Sequence, residues 1–271
     1  MLSYLLATLG SWTRINAAGM TCPDWPLCRK AIVPALHGGV VLEWSHRALA
    51  LVVSLLVVAV IVTGLRVRKR IPGVGPLLIA LGVAIVVQVL LGGVTIFAAN
   101  SPPSVTLHWA AAMLLLAAFT SLAVVAIANA DGAASFGRRS GTLPLFVATI
   151  WAFATMCAGA YVSSSGAGLA CPAFPACGTH LLLAGGFVAF ALAAAVATPS
   201  SARGATVAVR VGLALLALQV ALGILNVLLA LPPLLREAHA ANAGATFLAF
   251  VVATVLASLE PARRGQDPKK P

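Results

Sequence analysis

The sequence predicts an all-α polytopic membrane protein, with eight transmembrane helices built as two tandem four-helix bundles related by an internal repeat. Three observations predict it. The 271 residues are 61% hydrophobic and only 8% charged, against nearer half and a quarter in soluble domains. The apolar residues lie in uninterrupted runs of about 20, the length of helix that crosses a bilayer, where the strands of a β-barrel would alternate. Motifs of the first half of the chain recur in the second, the signature of a repeated structural unit.

Charge placement supplies the topology. The net charge is +11, but twelve of the 17 Lys and Arg fall in alternate loops and the tail: Arg66, Arg68, Lys69, Arg70, Arg138, Arg139, Arg203, Arg210, Arg263, Arg264, Lys269 and Lys270. By the positive-inside rule these segments are cytoplasmic. The basic balance therefore reports orientation and not nucleic-acid binding, with attraction to anionic membrane lipid as a side effect.

Taken in order, Leu2 to Trp12 is apolar but short for a span, and no small-residue cleavage site follows it. It reads as a shortened first helix or as a start placed too late. Clear spans follow at 41–64, 76–97, 105–127, 143–163, 180–197, 209–230 and 239–258. Eight helices put both termini in the cytoplasm. The first outer loop, from Cys22 to Leu42, carries Asp24, Arg29 and Lys30, which are read as functional.

The repeat is explicit. GSWTRINAAGMTCPDWPLC from Gly10 aligns with GAYVSSSGAGLACPAFPACG from Gly159 at a shift of 149. Gly10 then matches Gly159, Gly19 matches Gly168, and Cys22 and Cys28 match Cys171 and Cys177. Gln88, Gly92 and His108 align with Gln219, Gly223 and His239 at a shift of 131. A deletion in the second outer loop accounts for the difference, so His46 corresponds to His180. Two even-numbered halves keep the same orientation, as parallel repeats do. The domain boundaries that follow are 1–130 and 142–260 for the halves, 131–141 for a cytoplasmic linker, and 261–271 for a basic tail.

Four of the five histidines, His46, His108, His180 and His239, stand at the outer ends of alternate spans. Imidazole within a membrane segment is costly and faces the bundle interior. Two equivalent pairs at one depth point to axial ligands of heme iron, since histidines from facing helices can hold a macrocycle between them. Zinc or copper would want a third ligand, which the second pair lacks. Glu43 precedes His46 by three residues and shares its helix face. It has no carboxylate counterpart in the second half. The reading is two similar heme pockets with an acid–base group only in the first; the alternative is an interfacial carboxylate paired with Arg47. Arg47 suits Glu43 or a heme propionate.

Cys22/Cys28 and Cys171/Cys177 lie in outer loops, where an oxidising compartment favours disulfides. Bracing suffices for the second pair, while the first, beside Glu43, also suits a redox or thiol role. Cys157 reads as packing, and His37 has no repeat counterpart and no ligand role. The glycines at 92, 93 and 223 leave room for close helix contact or a flat macrocycle.

Together TCPDWPLC, EWSHR, LLGGVT with His108, GAGLACPAFPAC, and LGILNVLLALP with His239 resemble heme A synthase, a family with eight helices in two homologous halves. The resemblance implies oxidation of the C8 methyl of heme O to a formyl group. It places substrate heme O at His46 and His108, with Glu43 as the functional glutamate, and a cofactor heme b on His180 and His239. It further implies a multi-pass protein of the bacterial cell membrane with its heme ligands toward the outer side, heme O delivered by heme O synthase, and an electron acceptor and a homo-oligomeric state left open. The competing reading is a diheme b-type electron carrier linked to quinone, which four histidines alone fit equally well.

Overall fold

The computed structural model describes residues 1–129, 134–136, 142–169 and 175–261. Its helices are α1 (Leu2–Ile15), α2 (Gly39–Val67), α3 (Val74–Phe97), α4 (Pro102–Ala128), α5 (Thr142–Ser164), α6 (Pro175–Ala197), α7 (Arg203–Leu228) and α8 (Pro233–Ser258). Two three-residue strands, β1 (Ala134–Phe136) and β2 (Leu259–Pro261), complete the regular elements among the described residues. Helices α2 to α8 are long and apolar enough to cross a membrane. The 14 residues of α1 extend roughly 21 Å at about 1.5 Å per residue, short of the ~30 Å hydrocarbon core.

Helix starts differ from the hydropathy reading for a physical reason. Every helical proline sits in a first turn, at Pro76, Pro102, Pro103, Pro144, Pro175 and Pro233, where its missing N–H costs nothing and its fixed φ suits the helix. Hydropathy begins only where the chain turns apolar. Thus α6 starts at Pro175 and not at 180, and α8 at Pro233 and not at 239. His180 consequently stands in the second turn of α6, not at its very start.

The helices pack as two rings. In the first, α1 contacts α2, α2 contacts α3, α3 contacts α4, and α4 closes on α1; in the second, α5 to α8 close in the same way. The rings meet where α4 lies against α5 and α8 and where α1 lies against α8. Val53, Val57, Leu78, Leu81, Leu115 and Val125 fill the first ring. Alanines and aromatics fill the second, with Phe187 edge-on to Phe250 at 5.3 Å and Gly212 giving Phe250 its place. Leu51, Leu55, Ile79 and Leu90 stay exposed on the outside, the apolar face that a bilayer would cover.

The β-ribbon is a feature without a counterpart in the sequence reading. β1 pairs antiparallel with β2, Ser135 opposite Glu260, so the connection between the rings is tied to the end of α8. Three-residue strands offer no period-2 signal to read.

Candidate functional site

The loop after α1 is folded around the pair Glu43 and Arg47. Glu43 is buried on the first turns of α2, 3% exposed. Its Oε2 accepts from the Thr21 hydroxyl at 2.9 Å and the Cys22 amide at 2.8 Å, and its Oε1 accepts from Arg47 at 2.7 Å. The Arg47 guanidinium also donates to the carbonyls of Asp24, Leu27 and Cys22. One helix turn thus supplies both an acceptor and a donor set for a backbone that has no regular structure to satisfy it. Cys22 and Cys28 form the predicted disulfide, with Cα atoms 4.6 Å apart. Cys171 lies outside the described residues, and with it the predicted Cys171–Cys177 bridge. Cys157 is a free thiol, and His37 is exposed.

Asp24 and Arg29 in this loop have structural partners, the Arg29 Nε donating to the Thr21 carbonyl at 3.1 Å. Asp24 accepts from the amides of Arg29 and Lys30 at 2.6 and 2.7 Å, two residues held at positive φ of 52° and 62°. The Lys30 amide foremost, with that of Arg29, holds the Asp24 carboxyl below its ordinary value. Trp25 lies over α3, where a Cβ on Gly93 would come within 3.3 Å of its ring.

Each of the four histidines lies among the sixth to eighth residues of an even-numbered helix and faces a glycine on the preceding helix. A Cβ on Gly10 would stand 2.7 Å from His46 Cε1, and one on Gly159 would stand 2.9 Å from His180 Cε1. Gly92 and Gly223 face His108 and His239 in the same way, each at 3.3 Å. His46 and His108 lie within electrostatic reach of one another, as do His180 and His239. The glycines singled out for close contact are therefore seats for imidazole rings, with Gly93 instead serving Trp25.

The ring nitrogens bear on ligation. His180 Nδ1 lies 3.1 Å from the Thr155 carbonyl, which leaves Nε2 free to ligate. His46 lies beside the Leu6 backbone, the position a shift of 149 relates to Thr155, and its Nδ1 is buried with no partner among the described residues. His108 Nδ1 is likewise unpartnered there, and its Nε2 lies 3.3 Å from the Gln88 amide nitrogen. The Gln219 amide nitrogen lies 3.2 Å from both ring nitrogens of His239. Among the described residues no group of three or more His, Cys, Asp or Glu gathers to hold an ion. Imidazoles arranged in twos, with buried nitrogens to spare, fit a metal that brings its own equatorial ligands, as heme iron does.

Sequence reasoning missed Thr21, Thr155 and Asn242, and gave Gln88 and Gln219 no contact with histidine. The signal for the glutamines was present, since each precedes its histidine by 20 residues.

A family model described as "Cytochrome oxidase assembly protein" matches residues 37–187. A protein named heme A synthase from Symbiobacterium thermophilum is 30% identical over 189 residues, 66% of this chain and 61% of that one. Another of that name from Bacillus licheniformis is 26% identical over 175 residues, 63% and 58% of the two chains. The chain thus spans about three fifths of the length of these relatives. A 63-residue segment is 41% identical to part of a protoheme IX farnesyltransferase from Haloarcula marismortui, covering 23% of this chain and 13% of that one.

Proposed function

The chain belongs to the family of cytochrome oxidase assembly proteins, and from that premise we propose that it is a heme A synthase, oxidising the C8 methyl of heme O to a formyl group with heme b as redox cofactor. The observation that carries this reading is the doubled cradle, in which two histidine pairs are seated on glycines in matching places.

The two helix rings are read as tandem copies in parallel orientation. Gly10 against His46 recurs as Gly159 against His180, and Gly92 against His108 as Gly223 against His239. A third match supports the reading. Gly19 meets Asn100 and Gly168 meets Leu231, and both partners have positive φ, 53° and 62°.

His46 and His108 are assigned to the substrate heme O, and His180 and His239 to heme b. When bound, heme b supplies one-electron redox chemistry. The imidazoles would hold the porphyrin iron and so fix its orientation, and the surrounding apolar side chains would keep water from it. Written with water as the oxygen source, R–CH3 + H2O → R–CHO + 4 H+ + 4 e−, the reaction sheds protons at the methyl carbon, and heme b would pass the electrons one at a time to an external acceptor. Glu43, one turn before His46 and without a counterpart in the second ring, is the group assigned to take them. Arg47 has four acceptors already, so it is assigned to hold the disulfide loop against Glu43 and not to bind a propionate. The segment shared with a protoheme IX farnesyltransferase supports a link to the enzyme that makes the farnesylated substrate.

Extraction and mass analysis of pigments from cells making this protein and heme O tests the reading. Heme A should accumulate. Heme B with unchanged heme O would overturn the synthase in favour of a diheme electron carrier. Within the synthase, His180→Ala or His239→Ala should lose heme b, while His46→Ala or His108→Ala should keep it and abolish conversion.

A further inference from the structure

Among the buried positions at which the two rings differ, one lies a helix turn after otherwise matching histidines. Three residues after His239 stands Asn242, 9% exposed; three residues after His108 stands Ala111, 7% exposed. Asn242 Nδ2 donates to the Leu215 carbonyl at 2.9 Å and to Gln219 Oε1 at 2.8 Å. A carbonyl can only accept, so Leu215 fixes which end of the Asn242 amide faces α7. That orientation in turn fixes Gln219, with Oε1 toward Asn242 and Nε2 toward His239. In the first ring the relay is missing. Gln88 approaches His108 through Nε2, but its Oε1 is buried with no hydrogen-bond partner among the described residues.

We infer that Asn242 is a positioning residue that makes the second heme site retentive, and that Ala111 in its place leaves the first site free to exchange its porphyrin. The inference rests on the reading that both histidine pairs bind heme. The Gln219 amide that packs against the His239 ring is held by one hydrogen bond from Asn242, itself anchored on the Leu215 carbonyl, so that imidazole would meet its iron against a fixed wall. The amide against His108 has no such anchor among the described residues, and its buried acceptor without a partner makes that setting costly to hold. A cofactor must stay through many turnovers, whereas a substrate must leave as product. Groups that orient a metal-binding histidine change metal affinity by about 10–100-fold, enough to separate the two behaviours on a common scaffold.

The test is heme release from the full-length purified protein loaded with heme b, captured by excess apomyoglobin and followed in the Soret band. Wild type should show a fast and a slow phase. Asn242→Asp keeps the shape of the side chain but cannot donate, and should speed the slow phase by about 10–100-fold. It should also shift the low-spin ferric spectrum of the second heme, which reports imidazole orientation. Ala111→Asn should slow the fast phase. If loaded Asn242→Asp protein releases heme at the wild-type rate with an unshifted spectrum, this inference alone falls. A wild-type protein that takes up no heme overturns both the inference and the heme reading beneath it.

Discussion

Arg47 donates to three loop carbonyls and to Glu43, and only a guanidinium has enough donors in a rigid fork to do so. Arg47→Lys should therefore fail to rescue Arg47→Ala. Arg47→Ala, by leaving Glu43 buried without its partner, should cost on the order of 3–5 kcal/mol, measured as a fall in thermal unfolding midpoint; Arg47→Lys keeps a charge beside Glu43 but leaves the loop carbonyls short of donors, and should stay well below wild type. Glu43→Gln should lower that midpoint by less, because the amide oxygen still accepts from Thr21 or Cys22. At this scale the sequence showed that Glu43, His46 and Arg47 belong together, since helical spacing puts them on adjoining faces. It did not show that carbonyls would claim the guanidinium. A carbonyl is the same group at every residue and leaves no mark in composition or spacing.

The disulfide loop depends on Asp24 as well as on α2. Its carboxyl is held below the ordinary value of 3.8 by amides it accepts from. The folded value being the lower one, the stabilisation is fully present above the ordinary value and is lost as pH falls through the folded value. The difference in unfolding midpoint between wild type and Asp24→Asn should therefore be constant from neutral pH down to about 4 and then shrink. Among the helices, Gly10→Ala and Gly159→Ala should displace the imidazoles they seat, because the added carbon would come within 3 Å of a ring carbon. Gly92→Ala and Gly223→Ala, at 3.3 Å, should be milder. Heme content after purification orders the four. Helix existence was legible from hydropathy throughout, while helix starts were not: α4, α6 and α8 open on prolines in segments that hydropathy passes over, and α7 opens at Arg203, ahead of its apolar run. Asn242 was not legible from spacing, because the Leu215 carbonyl and Gln219 side chain that it holds lie on another helix, α7.

At the scale of the whole molecule, the rings are joined by buried side chains and by polar contacts at the histidine end. Arg14 at the end of α1 donates to the hydroxyl of Ser163 at 2.8 Å and to its carbonyl, and it lies within electrostatic reach of Glu237 on α8. Tyr4 reaches from α1 to the Ala241 carbonyl at 2.6 Å. Arg14→Ala should loosen the first ring from the second by about 1–3 kcal/mol, read as increased proteolysis in the loops between α1 and α2. Nothing in the sequence marked this junction. The shift of 149 that relates Arg14 to Ser163 was visible, but that two equivalent positions should touch each other is a property of the assembled rings.

The seat of Trp25 on Gly93 has an optical consequence. The indole lies one residue along α3 from Gly92, which faces His108, and heme absorbs where indole emits. A porphyrin arriving at the first histidine pair would drain the excited state of Trp25, and its departure would restore the light. Trp25 emission would thus report porphyrin exchange beside the first ring's cradle, dimming on arrival and brightening on departure.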